Sequence, residues 1–149
     1  MNNEQLSVTL EIREATVADA QALKALDTVV PYEPSRADFI DRWLQDDDVL
    51  VAEIDGKIVG YGVFNHAFFH QGQVEMLMIN ANYRGRRIGE SLLKALEEIC
   101  DTPKFYVTTN LSNTRMQKLL SRMEYRAGGY IHELDLGDPE LVFVKDIVE

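Results

Sequence analysis

The residues that could carry chemistry are concentrated between Val74 and Glu90, which reads Val-Glu-Met-Leu-Met-Ile-Asn-Ala-Asn-Tyr-Arg-Gly-Arg-Arg-Ile-Gly-Glu. Gly85 and Gly89 punctuate it, and Arg84, Arg86 and Arg87 crowd around the first of them. The order of residues predicts a strand that feeds through a short turn into a helix. The first-turn N–H groups of such a helix lack carbonyl partners and lie at the positive end of its dipole, which suits an anion. Gly85 allows an unusual backbone angle, and Gly89 lets a ligand approach the main chain. The chain has 25 acidic and 15 basic side chains, a net charge of −10. A local reversal of that sign is what a phosphate requires. The plainer alternative is a solvated basic turn paired with Asp46, Asp47 and Asp48. Two nucleotide motifs are absent: neither a Gly-Lys-Ser/Thr loop nor G-x-G-x-x-G occurs.

The elements around this stretch follow from periodicity. Leu6, Val8, Leu10 and Ile12 alternate as a first strand. Thr16 with Asp19 three residues later predicts a capped helix start, and a helix continues through Leu23 and Leu26 until Val30–Pro34 interrupts it. A second helix is expected from Ser35 to about Gln45, with Phe39, Ile40, Trp43 and Leu44 buried. Two β-rich runs around Asp55-Gly56 predict a hairpin. His70 to Gln73 is expected to turn the chain into a third antiparallel strand, Val74 to Ile79. A helix over about 86–101 would bury Ile88, Leu92, Leu93, Leu96 and Ile99, with Glu90, Lys94, Glu97 and Glu98 outward. A buried strand from Phe105 to Thr109, a helix from Ser112 to Met123, and strands 125–134 and 141–147 complete the map. This order is not a doubly wound βαβ chain. The fold class expected is α+β, one domain over residues 1–149.

Length and composition narrow the function classes. With 149 residues and 46% apolar content, the chain can bury one core and need not be disordered. Cys100 is the single cysteine, so no internal disulfide and no cysteine-based zinc site forms. No His-Glu-x-x-His pattern occurs, and no metal is expected. The absence of a long apolar run or signal-like N-terminus argues against a membrane partner, and a cytoplasmic location is the default. The acidic balance argues against nucleic acid.

Tyr83 to Gly89, taken with this order of elements, resembles the GNAT superfamily of N-acetyltransferases, which move acetyl from acetyl-CoA to an amine. The opening Ile12-Arg13-Glu14-Ala15-Thr16 with Asp19 is similar to the family's usual start. Its pyrophosphate loop, Gln/Arg-x-x-Gly-x-Gly/Ala, falls on Arg84 to Gly89, with Arg87 replacing the middle glycine. Backbone N–H groups do the cradling, so Arg87 is expected to serve if its backbone angles are ordinary. Downstream, Asn113-x-x-Met116-x-x-Leu119-Leu120-Ser121-Arg122-Met123-Glu124-Tyr125 resembles the family's Asn-x-x-Ala-x-x-Leu-Tyr-Glu-Lys-x-Gly-Phe. The resemblance implies a mixed, mostly antiparallel central sheet flanked by about four helices. It also implies acetyl-CoA as acyl donor, lying in a V-shaped gap between the third antiparallel strand and the strand from Phe105. Main-chain groups of Leu77, Met78 and Ile79 would pair with its pantetheine arm. The loop of Arg84, Gly85, Arg86, Arg87, Ile88, Gly89 and Glu90 would hold its pyrophosphate, and Asn113 would contact the arm or phosphates.

The activity so implied is direct transfer to a primary amine, with Glu75 as candidate base and Gln73 on its face. The alternative class is an acyl-CoA-binding module with little or no catalysis. Leu120 stands where the family often has a proton-donating tyrosine, leaving Ser121, Tyr125 or water as substitutes. His66 and His70, sharing a strand face with Phe68, are candidates for lining the acceptor pocket, as are Tyr32, Glu33 and Arg36 in the loop between the first two helices. Cys100 reads as a packed small residue. The acceptor is a small-molecule or peptide amine, and the terminal hairpin, with an exposed apolar strand, would invite a homodimer edge.

Overall fold

The computed structural model describes residues 9–147; the expected strand start at Leu6 and Val8 lies outside them. Its elements in chain order are β1 (Leu10–Glu14), a 3-10 turn (Val17–Asp19), α1 (Ala20–Leu26), α2 (Ser35–Asp46), β2 (Asp48–Ile54), β3 (Lys57–Phe68), β4 (Gln71–Ile79), a second 3-10 turn (Ala81–Tyr83), α3 (Ile88–Ile99), β5 (Lys104–Asn110), α4 (Thr114–Arg122), β6 (Arg126–Ile131) and β7 (Glu140–Asp146). The strands form one seven-stranded sheet in the order β1-β2-β3-β4-β5-β7-β6. β1 with β2, β5 with β7 and β6 with β7 are antiparallel. β4 and β5 run parallel, with Gly72, Gln73 and Val74 registered on Phe105, Tyr106 and Val107. The expected α+β sheet with four α-helices is what forms.

Packing divides the chain into two compact units, Met1–Val63 with Met76–Leu96, and Phe64–Glu75 with Glu97–Glu149. In the first, Leu23, Leu26, Ile40, Trp43, Val49, Val51, Tyr61 and Val63 make a core cluster. Here α3 buries Ile88, Leu92, Leu93 and Leu96, four of the five residues its periodicity predicts. Leu92 and Leu96 come close to the sheet because β3 carries glycines beneath them. A Cβ on Gly60 would lie 3.1 Å from Met78 O and 3.3 Å from Leu92 Cδ1, and one on Gly62 2.8 Å from Leu96 Cδ1. The helix start at Thr16 forms as expected: its hydroxyl accepts from Ala18 N, and Asp19 accepts from Thr16 N at 2.8 Å, a reciprocal cap.

Several local expectations change. The second hairpin turns at Phe69-His70, both with positive φ (54° and 69°), so Gln71, Gly72 and Gln73 belong to β4. The cause is spatial. A Cβ on Gly72 would meet the Phe64 ring at 2.8 Å and Cys100 Sγ at 2.7 Å, so this glycine admits strand packing and does not mark the turn. Phe39 and Ile99 are each 40% exposed, because the buried stripes of their helices are narrower than the apolar pattern. Phe39 instead lies beside Trp43 and under the Arg42 guanidinium. Glu97 is not an outward charge. In the second unit it accepts from the Tyr125 hydroxyl at 2.5 Å and pairs with Lys145 at 3.2 Å.

Candidate active site

The basic loop is built by strand β4 ending against a one-turn 3-10 segment, whose start is fixed by Asn80 Oδ1 accepting from Asn82 N at 2.9 Å. The chain then passes Arg84 (φ −68°), Gly85 (φ +82°) and Arg87 (φ +61°) before α3 begins. Gly85 is needed for its angle; a Cβ there would touch nothing within 4 Å. Arg87 departs from the expectation of ordinary angles: it occupies the left-handed region where the related motif carries glycine. Left-handed residues alternating with ordinary ones turn successive N–H groups to one side, making an anion-binding concavity. Ile88 and Gly89 then open α3, where the backbone N–H groups lie at the positive end of the helix dipole.

Charge around this loop stays positive. Arg86 lies 5.0 Å and Lys57 5.5 Å from the centre of the Tyr83 ring, so both cations are held by an aromatic face that consumes no positive charge. Arg87 pairs with Glu90 at 3.2 Å, and Glu90 also with Lys94 at 3.3 Å. The loop therefore offers backbone donors, three arginines and open space, which fits a pyrophosphate group.

Leu77, Met78 and Ile79 are half-buried on β4. Asn80 N donates to Val59 O at 2.8 Å. In an antiparallel strand the N–H and C=O of one residue point the same way and alternate along the chain. Met78 peptide groups therefore face β3, in keeping with Met78 O beside Gly60, and those of Leu77 and Ile79 face the opposite edge. Next to this strand the α1–α2 loop is pinned by Asp27, 2% exposed. Its Oδ1 accepts from Val29 N (2.8 Å) and Val30 N (3.3 Å), and its Oδ2 from Tyr61 Oη (2.6 Å) and Arg36 Nη1 (2.8 Å). Burial first, and then the bond to Asp27, push the Tyr61 hydroxyl far up from its ordinary range, so it remains a donor. Arg36, expected in the loop, lies on α2 and is a structural pin. It also reaches Met76 Sδ at 3.8 Å, as Thr28 reaches Met78 Sδ. Tyr32 is 85% exposed. Sequence reading missed Asp27. The signal was an acidic residue at the C-terminal end of α1, unfavourable for the dipole unless a tertiary partner compensates.

In the second unit, Glu75 is exposed and part of a side-chain triad. Gln73 Nε2 donates to Glu75 Oε1 (2.9 Å) and to Asn65 Oδ1 (2.9 Å), and Asn65 Nδ2 donates to Glu75 Oε1 (3.2 Å). Asn65 Oδ1 also accepts from Ala67 N at 3.1 Å. Gln73 was expected beside Glu75; Asn65 was not foreseen, although asparagine within a strand is itself unusual. His66 and Phe68 do not share surroundings. His66 pairs with Asp101 at 2.6 Å and meets the Phe64 ring edge-on, whereas Phe68 lies against Tyr106, and His70 is in the turn.

Of the substitutes for the missing acid, Tyr125 is buried with its hydroxyl donated to Glu97, and burial first, then Glu97, push its pKa far up. Leu120 is fully buried, and Ser121 is exposed. Asn113 Oδ1 caps α4 by accepting from Met116 N at 3.1 Å. Cys100 is half-buried, with Sγ 3.3 Å from Thr102 Oγ1. No group of three or more potential metal-ligating side chains occurs among the described residues, and no helix among them is long and apolar enough to cross a membrane.

Residues 16–125 match the family model described as Acetyltransferase (GNAT) family. A candidate ribosomal-protein bS18 alanine N-acetyltransferase of Bacillus subtilis (strain 168) is 26% identical over 129 residues, covering 76% of this chain and 84% of its own length. Among solved structures, a GNAT acetyltransferase from Bacillus cereus superposes with a TM-score of 0.88 at 24% identity, covering 95% of this chain and 99% of the other. The yncA protein of Salmonella typhimurium, solved with its cofactor acetyl-CoA, gives 0.75 at 17% identity, covering 94% and 95%. At these identities the two structures establish the shared fold.

Proposed function

The chain belongs to the GNAT family of acetyltransferases, and on that premise we propose that it transfers acetyl from acetyl-CoA to a primary amine by direct attack. The observation that carries the reading is the loop before α3, with left-handed Gly85 and Arg87 leading into the first turn of that helix under positive charge. Arg84, Gly85, Arg86, Arg87, Ile88, Gly89 and Glu90 hold the pyrophosphate. Main-chain groups of Leu77 and Ile79, on the edge of β4 turned from β3, take the pantetheine arm, with Met78 between them supporting the strand. Asn113 is a further contact carried over from the downstream motif.

Acetyl-CoA supplies an acyl thioester, whose C–S bond breaks as the amine nitrogen forms the new C–N bond and the thiolate leaves. An alkylammonium ordinarily loses its proton near 10.4, so at neutral pH the protein must supply a base. Glu75 takes that role, two residues before Leu77 on β4, with the amides of Gln73 and Asn65 fixing its Oε1. A main-chain N–H of Leu77 or Ile79 polarises the acyl oxygen. A thiol of ordinary pKa near 8.5 leaves as a tolerable anion, so Leu120 in place of a tyrosine is compatible with turnover. The non-catalytic binding module finds no support in the family match.

The test is release of CoA from acetyl-CoA across an amine panel, with Glu75→Gln beside the parent protein. Loss of a general base is expected to lower kcat by about a hundredfold or more, with the KM for acetyl-CoA unchanged. An unaltered kcat and pH profile in Glu75→Gln would remove the base assignment. Acetyl-CoA binding without turnover on any amine would remove the activity itself.

A further inference from the structure

Resting on that reading, we infer that the acceptor is an amine with an apolar body, an aryl- or alkylamine, recognised by an aromatic wall beside Glu75. The wall lies entirely within the second compact unit. Gln73, the residue that donates to Glu75, is registered against Tyr106 on the parallel strand β5, and directly registered residues present their side chains on the same sheet face. Phe68 lies against Tyr106 with ring centres 4.6 Å apart, and Phe69 meets Phe68 edge-on at 5.0 Å. Val144, registered on Tyr106 from β7, is buried beneath this cluster at 7% exposure.

Phe69 is the informative member. It is 80% exposed and has φ +54°, in a two-residue hairpin turn where asparagine or glycine is the low-energy choice. A bulky side chain in the left-handed region is strained, and exposure leaves the ring poorly buried in return. Strain kept at an exposed aromatic points to a binding role. The chemistry selects the occupant. The aromatic cluster favours an apolar body, and the exposed Phe69 ring attracts an ammonium approaching over it. The triad contributes one carboxylate, which matches one ammonium and repels an amine bearing its own carboxylate nearby. A polyamine would bring further charges to an apolar wall, and a peptide N-terminus would bring amide groups that need partners.

The experiment measures kcat/KM of the parent protein for 2-phenylethylamine and hexylamine against spermidine and a short peptide with a free N-terminal alanine. It then repeats the measurement on Phe69→Gly and Tyr106→Leu. Glycine accepts the turn's φ without strain, so Phe69→Gly is expected to keep or raise Tm. Its KM for 2-phenylethylamine should rise about threefold to tenfold, the size of one aromatic contact, with the KM for acetyl-CoA unchanged. Tyr106→Leu should act in the same direction. Spermidine or the peptide turning over more efficiently than both apolar amines would overturn the inference while leaving acetyl transfer standing. So would an unchanged amine KM in both variants. CoA release with no amine at all would overturn both readings together.

Discussion

Arg87 shows how one side chain can serve a loop and strain it. Its φ of +61° is a conformation that costs a non-glycine residue about 1–2 kcal/mol, and its guanidinium adds positive charge beside α3. The two contributions can be separated. Arg87→Ala removes the charge and keeps the strain, whereas Arg87→Gly removes both. Urea denaturation should therefore place the glycine variant about 1 kcal/mol above the alanine variant, less the greater freedom that glycine gives the unfolded chain. Acetyl-CoA titration should find both weaker than the parent, with a shallower dependence on salt. Glu75 is the opposite case. Its residue type named a candidate base, but only the donors Gln73 and Asn65 fix where its Oε1 points.

Between elements, two contacts set the geometry of β4. On one side, Gly60 brings β3 within reach of Met78 and Leu92. Gly60→Ala places a Cβ 3.1 Å from a backbone carbonyl oxygen that cannot swing away, so a loss of about 1–3 kcal/mol is expected by chemical denaturation. On the other side, Asp27 ties the α1–α2 loop to α2 and β3 through Arg36 and Tyr61. Asp27→Asn leaves Arg36, whose side chain is only 15% exposed, without its counter-charge. Breaking a buried pair in this way costs about 3–5 kcal/mol. Adding Arg36→Met removes the orphaned charge and should recover part of that loss. A double-mutant cycle that came out additive would show that the pair is not coupled. Because Arg36 and Thr28 also reach Met76 and Met78, the same substitution should loosen the strand, read as faster amide exchange at Leu77 and Ile79.

For the molecule as a whole, the net charge of −10 acquires a structure. Much of the basic charge is spent locally: Arg13 is pinned between Asp19 and Glu53, while Lys104 and Arg126 both meet Asp146. Asp19, Asp101 and Asp146 are held below the usual carboxylate range, chiefly by hydrogen bonds from Arg13, His66 and Lys104 respectively. A carboxylate whose folded pKa is depressed binds its proton less readily than in the unfolded chain. Its stabilisation is complete above the ordinary value near 3.9 and is lost as pH falls through the lower folded value. Asp19 is the most shielded of the three. Asp19→Asn should lower Tm at pH 7, and the gap to the parent should narrow as pH drops below about 4, followed by thermal melts across that range.

The sequence by itself determined the elements and the family, because periodicity, capping residues and the two motifs are local and survive without a fold. The α3 stripe, the Thr16–Asp19 cap, the Asp55-Gly56 hairpin and the Arg84–Gly89 loop are all written in neighbouring residues. What only the tertiary structure decided is where separated residues converge. Asp27 meets Arg36 and Tyr61, Glu97 turns inward to Tyr125, and Asn65 joins Gln73 and Glu75. Phe69 takes a turn position its type disfavours, and Gly72 sits inside a strand because a phenylalanine ring and a cysteine sulfur lie against it. Those outcomes depend on strand register and on which side chains meet across it, and no local pattern encodes either.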